Sequence, residues 1–183
     1  MSPGAPQVLV TAASKHGATQ GIAEALARAL REHLAAFGGT VDEVPVVREP
    51  SPERYTAVVL GSAVYAGSWR DEARHWASAH AGTLRDRAVW LFSSGPIGEP
   101  PFPPDEPHDV PSLLQVTGAR GHHVFPGRLD KRLLTFPERA MVTAMRAPVG
   151  DFRDWAAVEA WAAHVAAELT VPASSGGRHP SPR

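Results

Sequence analysis

The chain has 183 residues, 43% of them hydrophobic and 20% charged, with a formal net charge of -1 and no cysteine. That length leads us to expect one domain over residues 1–171, and the near-neutral charge offers no basic stripe for nucleic acid. Without cysteine there is no disulfide, thiolate nucleophile or cysteine-ligated metal, so any redox role needs a bound cofactor.

The N-terminus, MSPGAPQ, has neither a basic n-region nor an apolar h-region. No apolar run approaches the ~20 residues that span a bilayer. The expectation is a soluble, cytoplasmic protein with no membrane span.

Gln7 to Thr11 reads as a buried strand. From Thr19 to Phe37 the apolar positions Ile22, Leu26, Ala29, Leu30, Leu34 and Phe37 recur at helical spacing, and Gly38 and Gly39 stop the helix. Thr40 to Val47 reads as a second strand. Tyr55 to Gly61, YTAVVLG, is the uncharged run of a central strand covered on both faces. It leads into SAVYAGSWRDEA and a helix from Ala73 to about Gly82. Ala88 to Phe92, AVWLF, is another buried strand, followed by SSGPIG and the proline-dense loop EPPFPPDEPHDVP.

Further on, Val110 to Thr117 reads as a short helix and Gly121 to Phe125 as the last strand. Pro137 to Met145 reads as a helix with proline in its first turn. In the final helix Trp155, Val158, Ala162, Val165 and Leu169 share a face behind an Asp154 cap. The tail from Pro172 is expected to be disordered over 172–183. Buried strands alternating with helices predict an α/β, doubly wound parallel sheet with helices on both faces. Ligands of such sheets bind beyond the carboxyl ends of the strands.

Three loops fall at that edge. The first is Ser14, Lys15, His16, Gly17, Ala18 and Thr19. It feeds a helix N-terminus whose unpaired N–H groups, with two hydroxyls, suit a phosphate as well as an ordinary cap. No G-x-x-x-x-G-K-[ST] and no G-x-G-x-x-G is present, so a phosphate monoester fits better than a pyrophosphate.

The second loop contains Ser62, Ala63, Val64, Tyr65, Ala66, Gly67 and Trp69; its small residues admit a flat ring and its aromatics offer stacking faces. The third, Ser93, Ser94 and Gly95, supplies backbone groups for a polar ring edge. Together they describe a site for flavin mononucleotide (FMN), with phosphate in the first loop and isoalloxazine between the others.

These residues resemble the flavodoxin superfamily along nearly the whole chain. S-K-H-G-A-T is similar to its phosphate loop T-x-T-G-x-T, with His16 where a threonine is usual. The resemblance implies a five-stranded parallel sheet in the order 2-1-3-4-5 and FMN as cofactor. Within the superfamily, G-R-L-D at Gly127 to Asp130 and the following RAPVGDFRDW resemble flavodoxin-domain proteins related to menaquinone-dependent protoporphyrinogen dehydrogenase. In that resemblance Gly61, Ser62 and Gly67 carry over, whereas Tyr65 and Ala66 do not match.

The expected function is electron transfer or flavin-dependent oxidoreduction, with FMN supplying the chemistry and no catalytic side chain required. The partner is a redox protein or a small-molecule electron donor or acceptor, and the oligomeric state stays open. Alternatives are a protoporphyrinogen dehydrogenase with a quinone acceptor and a binding module without cofactor. A phosphoacceptor receiver fails because Gly61 and Ser62 stand where its aspartate would be. Neither His122 with His123 nor His75 with His80 has the spacing of a metal ligand set.

Overall fold

The computed structural model describes residues 4–95, 97 and 107–171; the tail expected to be disordered, 172–183, and residues 98–106 of the proline-dense loop lie outside them. The apolar runs become strands β1 (Gln7–Ala13), β2 (Thr40–Glu43), β3 (Ala57–Tyr65), β5 (Ala88–Ser94) and β6 (His122–Phe125), all pairing in parallel. Their spatial order is β2-β1-β3-β5-β6, which is the expected order once a two-residue strand, β4 (Ser68–Trp69), is set aside. That strand pairs antiparallel with the end of β3.

Side chains along each strand alternate between two cores, as the two-residue period demands. Val8, Val10, Val59, Trp90 and Phe92 pack under α1 (Ala18–Leu34) and α6 (Trp155–Thr170). Leu9, Val58, Leu60, Val89 and Leu91 pack under α2 (Asp71–Ala79), α3 (Ala81–Arg85) and α4 (Val110–Thr117). Adjacent His122 and His123 divide the same way. His123 stacks on Trp161 of α6 at 5.6 Å, and His122 reaches Ser93 on the other side.

Where sequence and structure part, the causes are local. The second strand ends at Glu43 rather than Val47 because Pro45 has no N–H to continue the ladder, and Val46–Arg48 turn into a 3-10 helix. The expected helix from Ala73 to Gly82 is two helices, parted at His80, whose backbone leaves helical values. In α6, Asp154 caps as expected, accepting from Ala157 N at 3.0 Å, but Trp155 is 46% exposed and packs under Arg153 instead of on the core.

Three elements carry the far wall of the site. Strands β7 (Arg128–Leu129) and β8 (Gly150–Asp151) pair as a short antiparallel ribbon. Helix α5 (Phe136–Ala144) starts with a capping box between Thr135 and Glu138, and none of its residues is buried in the core. No helix among the described residues is long and apolar enough to cross a membrane.

Candidate functional site

The chain leaves β1, β3 and β5 at one edge of the sheet, and there, with β7 and α5, it encloses a cleft of about 570 Å³. Ser14, Lys15, His16, Ala18 and Thr19 line it from the first loop, Ala63, Val64, Tyr65, Ala66 and Gly67 from the second, and Ser94 and Gly95 from the third. The volume and the largely apolar walls suit an organic ligand.

The first loop has the local features that suit an anion. Gly17 takes φ 80°, a conformation that favours glycine, and turns the chain into α1. No side chain caps that helix, so its first N–H groups keep their partial positive charge toward the cleft. Beside them Ser14 Oγ is shielded from water and has no hydrogen-bond partner among the described residues. A shielded hydroxyl without a partner is destabilising unless a ligand completes it.

The second loop proves to be mostly strand. β3 runs past Gly61 to Tyr65 and returns through Ala66 (φ 50°) and Gly67 (φ 77°) into β4. Two residues of positive φ between antiparallel strands make a type I′ hairpin, which costs Ala66 about 1–3 kcal/mol of backbone strain. The Gly67 carbonyl accepts from His108 N at 2.8 Å, which ties the hairpin tip to the segment before α4.

Four expected residues stand behind the wall rather than on it. Gly17 acts through its backbone. Ser62 Oγ donates to Ala63 O at 2.8 Å and accepts from Arg70 N at 3.0 Å, bracing the hairpin. Trp69 is 2% exposed; its Nε1 donates to Ser93 Oγ at 2.7 Å, and Ser93 Oγ also bonds His122 Nε2. The indole expected to stack on a ligand is thus a core ring, anchored by the serine expected to meet the ligand. Gly61, similarly, makes room for packing, since a Cβ there would lie 2.1 Å from the Phe92 ring.

The cleft also has walls that sequence reasoning missed, among them Ile97, His108, Arg128, Met141, Val142 and Met145. Only the G-R-L-D segment had marked any part of this side, through family resemblance. Glu138, in the first turn of α5, binds Lys15 Nζ at 2.5 Å and His16 Nε2 at 3.2 Å. The Lys15 ammonium, helped by the Thr135 backbone N–H, holds its carboxyl well below the ordinary range. His16, in the position where a hydroxyl is usual, therefore faces Glu138 and the Tyr65 ring, while its carbonyl accepts from Arg128 at 3.4 Å.

Tyr65 lines both this cleft and a side cavity of about 600 Å³, whose walls also include residues of α5 and α2. Lys15 and Arg70 lie 5.7 and 6.0 Å from its ring centroid. Burial, and then the charge of Glu138, push its phenol up, so it remains a proton donor at neutral pH.

Comparison with known proteins agrees with this geometry. A family model described as the flavodoxin domain matches residues 9–154. Oxidised flavodoxin 1 from Bacillus cereus superposes with a TM-score of 0.60 at 15% identity, covering 89% of this chain and 99% of its own. A flavodoxin from the domain Archaea gives a TM-score of 0.58 at 11% identity, with 90% and 99% covered. An azoreductase from Bacillus anthracis gives 0.55 at 16% identity, with 89% and 99% covered. No curated protein sequence matches the chain.

Proposed function

Because the chain belongs to the flavodoxin-domain family, with FMN as its cofactor, we propose that the 570 Å³ cleft is the FMN site of an electron-transfer protein or flavin-dependent oxidoreductase. One observation carries this reading: the partnerless, shielded Ser14 Oγ beside a helix N-terminus that no side chain caps. A phosphate there would complete both, through Ser14, Thr19 and the first N–H groups of α1. A binding module with no cofactor would leave that hydroxyl and those N–H groups unexplained.

In this reading Ala63, Val64 and the Ala66–Gly67 hairpin take one edge of a planar ring, and Ser94 and Gly95 another. Met141, Val142 and Met145 of the α5 side offer it apolar contact from above. When bound, FMN supplies hydride and one-electron chemistry, and the protein tunes it by hydrogen bonds, charge and exposure. Lys15, His16 and Arg128 bring positive charge or donors to the rim, and the Tyr65 phenol can hold a proton between the two cavities.

The side cavity favours an enzyme over a general electron shuttle, since a shuttle needs no room for a second small molecule. A relation to menaquinone-dependent protoporphyrinogen dehydrogenase belongs to the same proposal, resting on G-R-L-D, which brings Arg128 and Leu129 to the seam of both cavities. The decisive experiment is spectroscopic. Purified protein should be yellow, or take up added FMN with quenching of its fluorescence; colourless protein that takes up none overturns the cofactor site. Anaerobic reduction of the FMN form, followed by quinones, porphyrinogens and redox proteins as partners, then separates enzyme from carrier.

A further inference from the structure

The side cavity holds one cation that no carboxylate neutralises. On its wall Lys15 pairs with Glu138, Arg70 with Glu72, both at 2.5 Å, and Arg74 with Asp71. Asp130 is occupied by Arg132 at 2.8 Å, and that contact holds its carboxyl down to about 2. Each acid on the wall therefore already has its cation. Of the cations on this wall, Arg128 alone has no ion-pair partner among the described residues, and its guanidinium makes one hydrogen bond to them, the 3.4 Å donation to His16 O. Asp130 and Asp151 feel its charge only at longer range.

A guanidinium has five donors in a planar fork matched to the two oxygens of a carboxylate. Here one donor is engaged, and weakly. Leu129, Leu133, Leu134, Met141 and Val142 give the same wall an apolar part, which it shares with Tyr65. An inorganic anion would leave that apolar wall unused, and a polyanion would meet the carboxylates of Glu72, Asp71 and Glu138. An apolar body bearing one carboxylate matches both the apolar part of the wall and the remaining charge.

We propose that the side cavity binds an apolar organic carboxylate, with Arg128 as the anion anchor and Tyr65 and α5 lining the space for its apolar body. The proposal deepens the FMN reading and rests on it, because Tyr65, Arg128 and Leu129 line both spaces and set this ligand beside the cofactor.

The test titrates 2-naphthoate into the FMN-loaded protein by calorimetry, with 2-naphthamide as the neutral comparison. FMN affinity is measured separately by fluorescence quenching. The acid should bind at least about tenfold tighter than the amide, as a charge-assisted bidentate contact implies. Arg128→Gln should erase that preference, while Arg128→Lys should retain part of it. Equal binding of acid and amide, or an undiminished preference in Arg128→Gln, overturns the proposal. A loss of FMN affinity with naphthoate selectivity intact overturns it too, by assigning Arg128 to the cofactor. Failure to take up FMN at all sinks the cofactor reading instead, and acid-over-amide selectivity of the FMN-free protein then decides the cavity.

Discussion

Glu138, three residues into α5, lies 2.5 Å from Lys15 in the loop after β1, and this ion pair joins the helix that roofs the cleft to the loop that forms its floor. α5 has no residue buried in the core, so polar contacts supply an unusual share of what holds it. Glu138→Gln keeps the capping geometry, because glutamine also serves at the third position of a capping box, and removes only the charge. With Lys15 41% exposed, we expect a loss of about 0.5–1 kcal/mol in urea unfolding. No loss would mean that the pair contributes nothing to holding the roof.

The same pair sets a pH dependence. The Glu138 carboxyl sits below its ordinary value of 4.5 because Lys15 and Thr135 favour the ionised form. A depressed folded-state pKa contributes stability above the unfolded-state value, and that contribution is lost as pH falls through the folded-state one. The difference in urea midpoint between the natural protein and Glu138→Gln should therefore be constant from neutral pH to about pH 5.5, then shrink steadily below about pH 4.5. A difference that widens on acidification would contradict the assigned sign.

Trp69 gives a prediction that separates packing from cofactor contact. Its ring is 2% exposed and its Nε1 hydrogen is donated to Ser93 Oγ. Trp69→Phe should lose about 1–3 kcal/mol of stability, from the smaller ring and the broken buried bond. The absorbance and fluorescence of bound FMN should stay unchanged. A shifted flavin spectrum at unchanged stability would return Trp69 to the cleft.

These cases also show what was legible in the sequence. The parallel pairing of the main strands followed from uninterrupted runs such as AVVL and AVWLF, because a strand covered on both faces needs apolar residues at every position, whereas their order came only with the family resemblance. The place of the first loop was legible because Gly17 and its hydroxyl neighbours sit between a strand and a helix. Trp69 was misjudged because an aromatic beside small residues reads alike whether it faces a ligand or a core. Burial of its ring is decided by the Ala66–Gly67 hairpin, whose strained alanine is not the usual residue for that turn. The helix α5 was legible, but its place in the site was not: Met141 and Val142 are distant in sequence from the three loops, and only the fold brings them to the cleft.

Ser14 offers the sharpest test of the cofactor site, since one substitution should act in opposite directions with and without ligand. In the FMN-free protein its shielded Oγ has no partner, so Ser14→Ala removes an unsatisfied polar group. Stability should be unchanged or rise by up to about 1 kcal/mol, read from thermal or urea unfolding. In the FMN complex the same hydroxyl would donate to a phosphate oxygen, a charged acceptor whose loss costs about 1.5–3 kcal/mol. FMN affinity should therefore fall by about ten- to a hundredfold, while riboflavin, which lacks the phosphate, should bind both proteins equally. Equal FMN affinity in the two proteins would move the phosphate elsewhere. Loss of stability in the FMN-free variant would show that Ser14 already has a structural partner.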